Sequence, residues 1–153
     1  MSDTEIIPIP SKVYNCISSS LLDIINNSGV LTDMTMLFND LEDDKRGIML
    51  FPIEGSKIAK KFIFGNYIGQ YPFAIRSRTI STDANERQEA CDIIDKIGDW
   101  FTEAVRNKTL TAFDTKTLVR SIEQTSTSTS VYRNKNNTED YQGEFLLKFE
   151  RKV

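Results

Sequence analysis

Apolar residues recur at three- and four-residue steps in two stretches of the chain, and at alternate positions through much of the rest. Val13, Ile17, Leu21, Ile24 and Ile25, widened by Tyr14 and Leu22, lay one apolar stripe along a helix over about 11–27. Ser11 is placed to cap its start, and Gly29, just past Asn26, Asn27 and Ser28, is a stop signal. Ahead of it Pro8 and Pro10 block helix formation, so residues 1–10 read as an extended lead-in. The second stripe is broader. Ala90, Ile93, Ile94, Ile97, Trp100, Phe101, Ala104 and Val105 predict a helix over about 84–106. Asp83 with Glu86 makes a capping-box-like start, with Thr82 as an alternative cap. Gly98 costs about 1 kcal/mol against alanine inside a helix, which marks it as a point of close packing.

Between and after the helices the period falls to two. Met34, Met36 and Phe38 alternate with Thr35 and Leu37, and residues 48–53 form an apolar run broken by Pro52. A proline forfeits a ladder donor, so that run is expected at an edge or a bulge. Residues 57–64 and 67–78 read as two strands joined around Gly65–Asn66, the second placing Tyr71, Phe73 and Ile75 on one face. Residues 118–124 and 141–151 read as two more, the latter with Phe145, Leu147 and Phe149 on one face. Between them the polar segment 125–137, opened by alternating Thr and Ser, is either a loop or an exposed strand. The pattern as a whole predicts a single α+β domain over residues 1–153.

Charge and composition narrow the picture. Nineteen basic and twenty-two acidic side chains are interspersed, for a net charge of −3, and no basic stripe displaces counterions from a nucleic-acid backbone. Sequence-specific nucleic-acid binding is therefore not expected. No apolar run reaches the roughly twenty residues of a membrane span, and the acidic start Met1–Glu5 lacks a signal peptide's positive end, so a cytosolic site of synthesis and no membrane partner are expected. The cysteines, Cys16 and Cys91, each sit in an apolar-periodic stretch and read as two buried thiols.

Chemistry-bearing patterns are scarce. The chain has no histidine, which removes Ser-His-Asp and Cys-His nucleophile systems and most catalytic zinc sites. Gly65-x-x-x-Gly69 is not followed by the Lys-Ser/Thr of a phosphate-binding loop, so a hairpin is the better reading. Asp40, Glu42, Asp43 and Asp44 form the densest acidic cluster but lack the spacing of a calcium loop, and read as a solvated turn. No catalytic, cofactor-binding or metal residues are assigned, and no enzyme activity is expected.

An ordered set of features adds to this. The turn and strand Gly65–Arg78, with its Gln70-Tyr71-Pro72-Phe73 core and Arg76-Ser77-Arg78 end, precedes a Trp100-bearing helix and a closing Tyr141-Gln142-Gly143-Glu144-Phe145-Leu146-Leu147-Lys148-Phe149. Together these resemble a minor capsid family of tailed phages and prophages of Gram-positive bacteria, some of whose members carry the label "chloramphenicol resistance protein". The similarity runs from about Ser11 to the end. It implies a tail terminator, or tail-completion factor, that forms a hexameric ring, caps the tail tube and meets the head-completion and connector proteins in the virion. It also implies two main helices packed on one face of a mainly antiparallel sheet, in the order α-β-β-β-β-α-β-β. Pro72 and the Ser/Thr segment depart from the family pattern, and no family binding residues carry over.

A ring subunit needs two different, complementary flanks. The charged turn 40–47 and the polar segment 125–137 are the candidate projecting loops, and Glu42, Asp43 and Asp44 are candidates for the face of a DNA-conducting lumen, where like charge discourages sticking. The alternatives are another head–tail connector or minor capsid role and, from a different class, a small-molecule binding module. A drug acetyltransferase, which the label would suggest, needs a histidine base that this chain lacks.

Overall fold

The computed structural model describes residues 5–32, 34–41, 45–53, 58–61, 66–80, 84–133 and 138–152. The described elements run β1 (Glu5–Pro8), α1 (Ser11–Asn27), β2 (Leu37–Phe38), β3 (Gly47–Pro52), β4 (Ile58–Lys61), β5 (Tyr67–Thr79), α2 (Ala84–Arg106), β6 (Thr117–Gln124), β7 (Thr129–Arg133) and β8 (Glu139–Arg151). The strands form one mainly antiparallel sheet, and the fold is α+β.

Two long strands carry the sheet. β5 and β8 pair antiparallel from Tyr67↔Arg151 to Thr79↔Glu139. The other edge of each is shared by two short strands in tandem. β4 lies against Tyr67 and Ile68, and β3 against Phe73–Arg78. β6 lies against Phe145–Arg151, and β7 against Glu139–Gln142. β1 then extends β4 antiparallel, while β2 extends β3 in parallel.

That tandem arrangement explains both prolines. Ile53 N donates to Pro72 O across the β3–β5 edge, and Asn39 N donates to Leu50 O on the opposite edge of β3. Successive residues turn their amides to opposite edges. Pro52 therefore faces the β2 side just past Phe38, where β2 has ended, and forfeits no ladder bond. Pro72 faces Ile53, in the gap between β3 and β4, so β5 runs through it without interruption.

Tyr71, Phe73 and Ile75 do share a face of β5, with Phe145, Leu147 and Phe149 of β8 and Ile48 and Leu50 of β3, and all are buried. Phe73 stacks on its direct partner Phe145 with centroids 5.2 Å apart, and Phe101 of α2 meets both rings edge-on at 6.2 Å. Tyr14 of α1 lies 5.4 Å from the Tyr71 ring. Alternation puts Tyr71 and Phe73 on the same side, so both helices touch this face. Each fully buried side chain of this size contributes roughly 1.5–3 kcal/mol.

Several local readings change. Pro10, at φ −61° and ψ 142°, is the N-cap of α1 and offers no side-chain bond; Ser11 is the first helical residue. Gly29 does follow the end of α1, with φ +83°, a backbone conformation that glycine adopts without a Cβ penalty. The 34–38 alternation yields only the two-residue β2, whose Phe38 is exposed. Both thiols are half-buried and free. The 125–137 segment divides, with a non-strand stretch 125–128 and then the exposed β7. The expected caps Thr82 and Asp83 and the loop residue Gly65 lie outside the described residues.

Candidate functional site

The β5–β8 register sets Arg78 opposite Asp140 and Arg76 opposite Gln142, on the sheet face away from the aromatic core. Arg78 grips both oxygens of the buried Asp140, Nε to Oδ1 at 2.6 Å and Nη2 to Oδ2 at 3.0 Å. Arg76 donates to Gln142 Oε1 through Nε and Nη2, at 3.0 and 2.6 Å, and its Nη1 stands 3.9 Å from Asp140. Its guanidinium also lies over the Phe51 ring, 5.4 Å from the centroid.

The preceding residue of β8, Glu139, builds a second cluster on the core side. Glu139 accepts from Ser130 Oγ at 2.8 Å and from Arg133 Nη2 at 2.9 Å, and Arg87 Nε of α2 stands 3.4 Å away. Burial pushes the Glu139 carboxyl up. The bonds from Ser130 and Arg133, the charge of Arg133 and a bond from Tyr141 outweigh it and hold the group below its ordinary value. Four guanidinium groups thus surround two carboxylates at one end of the sheet. The carboxylates are the buried members, while the Arg133 side chain is more than half exposed, so this end presents positive charge outward.

A nucleophile-bearing cluster joins α2 to the segment before β7. Ser128 Oγ lies 2.8 Å from Cys91 Sγ, 3.1 Å from Cys91 O and 3.4 Å from each Asp95 oxygen. Gln124 Nε2 donates to Asp95 Oδ1 and to Ser126 O, both at 2.9 Å. These bonds fasten residues 124–128 onto α2. Among the described residues no group of three or more Cys, Asp or Glu is placed to hold a metal ion. No described helix is long and apolar enough to cross a membrane.

Among the described residues five large apolar side chains are exposed; Ile80, 50% exposed, directly follows β5, and the other four lie on two short strands. Leu37 and Phe38 on β2 are 39% and 43% exposed, and Val131 and Tyr132 on β7 are 45% and 52% exposed. These strands are opposite edges of one five-strand layer, β2-β3-β5-β8-β7. A single row of paired residues, Leu37–Met49–Arg76–Gln142–Thr129, runs from one edge to the other.

The candidates Glu42, Asp43 and Asp44 lie outside the described residues; their neighbour Asp40 is exposed and follows β2. Sequence reading offered the exposed strand within 125–137 as one of two alternatives, but missed the arginine–carboxylate clusters. Their signal was the Arg76-x-Arg78 and Asp140-x-Gln142 spacing, which has meaning only once the register is known. Comparison with protein-family models and with curated protein sequences finds no match.

Proposed function

We propose that this chain is a structural phage protein, a tail terminator or tail-completion factor that caps the tail tube and contributes to the head–tail junction, acting by surface complementarity without catalysis. The carrying observation is that four of the five exposed large apolar side chains among the described residues lie on two opposite, non-equivalent sheet edges. Such flanks suit a heterologous contact, which repeats around an axis and closes into a ring. The resemblance of the Gln70–Phe73 strand, the Trp100 helix and the closing strand to the phage family supplies the biological setting.

A second reading, a small-molecule binding module, has one observation behind it. A groove of about 270 Å³ lies between the segment after α1 and the first half of α2, lined in part by Leu31, Met34 and Ile93. Arg46, Glu89, Asp92 and Lys96 share that lining. A drug-sized ligand prefers a mainly apolar enclosure with few polar groups, so the assembly reading is favoured.

The test is polymerisation of the cognate tail-tube protein with and without this chain. A terminator shortens the tubes and is seen at one end by electron microscopy. Tubes that grow to the same length without bound protein, in the presence of an excess of the chain, refute the proposal. Binding to portal or adaptor rings instead points to the connector role.

A further inference from the structure

We propose that the groove between the segment after α1 and the first half of α2 binds a small zwitterion, a free amino acid with an aliphatic side chain. The site goes beyond the assembly reading and uses none of the edge residues that carry it.

The α2 wall of the groove is one line of the helix. Glu89, Asp92, Ile93 and Lys96 follow one another at steps of three, one and three residues, so they share a face. Arg46, just ahead of β3, adds a second cation to the lining. Two cations and two carboxylates thus surround an apolar wall made by Ile93 with Leu31 and Met34. Lys45 is not part of this lining, and Asp33 and Asp44 lie outside the described residues.

These charges do not neutralise one another. Asp92 and Lys96 are four residues apart with the acid first, the favourable order for an ion pair along a helix. Lys96 nevertheless makes no ion pair or hydrogen bond among the described residues, and neither do Arg46 and Glu89. The Asp92 carboxylate takes the Gln88 amide instead, at 2.8 Å. Charges of both signs that line one groove without meeting are complementary to a ligand that carries both signs itself.

Volume sets the size of that ligand. The groove holds about 270 Å³, below the roughly 300–1,000 Å³ of drug-sized pockets, so its occupant is smaller than a drug. An aliphatic amino acid fits on every count. Its ammonium meets Glu89 and Asp92, its carboxylate meets Lys96 and Arg46, and its side chain lies on Leu31, Met34 and Ile93. Arg46, Glu89 and Lys96 are exposed, and water screens them. A ligand of about nine non-hydrogen atoms is therefore held with a Kd on the order of 1 mM.

The experiment titrates the isotope-labelled parent chain with L-leucine and follows its backbone amide resonances. Saturable shifts at Leu31, Ile93 and Lys96 are the expected result. Leucinamide, which lacks the carboxylate, and isocaproate, which lacks the ammonium, should each bind about tenfold more weakly. Glu89→Gln and Lys96→Met change exposed side chains, so the fold is kept, and each should weaken leucine by about tenfold. No saturable shift at these three amides overturns the proposal. Leucinamide or isocaproate binding as tightly as leucine also overturns it, because one charge then suffices. So does unaltered leucine affinity in either variant, which would put the ligand elsewhere.

Discussion

The side-chain amide of Gln124 occupies the space where a β-carbon on Gly98 would stand. Gly98 is buried in the middle of α2, Gln124 ends β6, and the same amide donates to Asp95 one turn earlier on the helix. A β-carbon at Gly143 of β8 would likewise fall 2.6 Å from Ile94 Cγ2. The helix thus rides close to the sheet because both surfaces lack a side chain at their points of contact.

Gly98→Ala is therefore expected to destabilise the fold, against the helix propensity trend. The substitution gains about 1 kcal/mol of propensity. Displacing the Gln124 amide, which is bonded to Asp95 and Ser126, costs about 1–3 kcal/mol, so the net runs from about zero to a loss of about 2 kcal/mol. Urea unfolding followed by circular dichroism reads the difference. Adding Gln124→Ser to Gly98→Ala should recover stability; a Gly98→Ala protein more stable than the parent would mean that the amide simply moves aside.

Arg78 and Asp140 form a buried bidentate pair, and such pairs are asymmetric in their response. Arg78→Met leaves the Asp140 charge buried, with Arg76 only at 3.9 Å, and is expected to cost about 3–5 kcal/mol. Arg120, more than half exposed beside Glu150, provides the contrast, since an exposed pair contributes about 0–1 kcal/mol. Equal unfolding midpoints for Arg78→Met and Arg120→Met would contradict this account.

Acid should weaken the β7–β8 end. The Glu139 carboxyl is held below its ordinary 4.5 in the folded protein, so the unfolded chain takes up its proton first as pH falls. The stability it contributes is complete above the ordinary value and is lost as pH falls through the lowered folded value. Urea midpoints measured from pH 6 down to pH 3 should decline, and Glu139→Gln should flatten part of the decline. A Glu139→Gln variant with the parent's slope throughout would assign the acid sensitivity elsewhere.

α1 is tied to β5 by hydroxyl groups as well as by apolar packing. Ser18 Oγ lies 2.5 Å from Tyr71 Oη and 3.0 Å from Tyr14 O, and Tyr14 Oη donates to Gln70 O at 2.9 Å. Burial, with the neighbouring Tyr67 and Tyr71, pushes Tyr14 up to about 12, and burial likewise raises Tyr71. Both phenols thus stay protonated through neutral pH and serve as hydrogen-bond groups. Tyr71→Phe leaves Ser18 its backbone partner and is expected to cost about 1 kcal/mol, whereas Tyr71→Ala opens a cavity and costs about 3–5 kcal/mol. Comparable losses in the two variants would show that the hydroxyl, not the ring, dominates.

Both helices and most strands could be read from local periodicity, because a stripe at three- and four-residue steps or an alternation of faces needs only neighbouring residues. Ala84–Arg106 coincides with the range expected for its stripe, and Tyr71, Phe73 and Ile75 share a face as alternation requires. Pro52 and Pro72 were harder, since a missing donor is harmless or costly according to what lies across the edge. The candidate acidic loop drew notice by charge density alone. The arginine–carboxylate clusters have no such local signature, because their members are separated by up to 66 residues.

By itself the amino-acid order determined which segments coil, which extend, which face of each is apolar, and that no imidazole is present for acid–base work. Tertiary structure alone decided that Arg78 meets Asp140, that Gln124 fills the space above Gly98, and that Leu37 and Thr129 end one row. The physical reason is the reach of the forces. Side-chain period follows from backbone geometry over a few residues, whereas strand register is chosen by the burial of a whole aromatic face, to which distant parts of the chain contribute together.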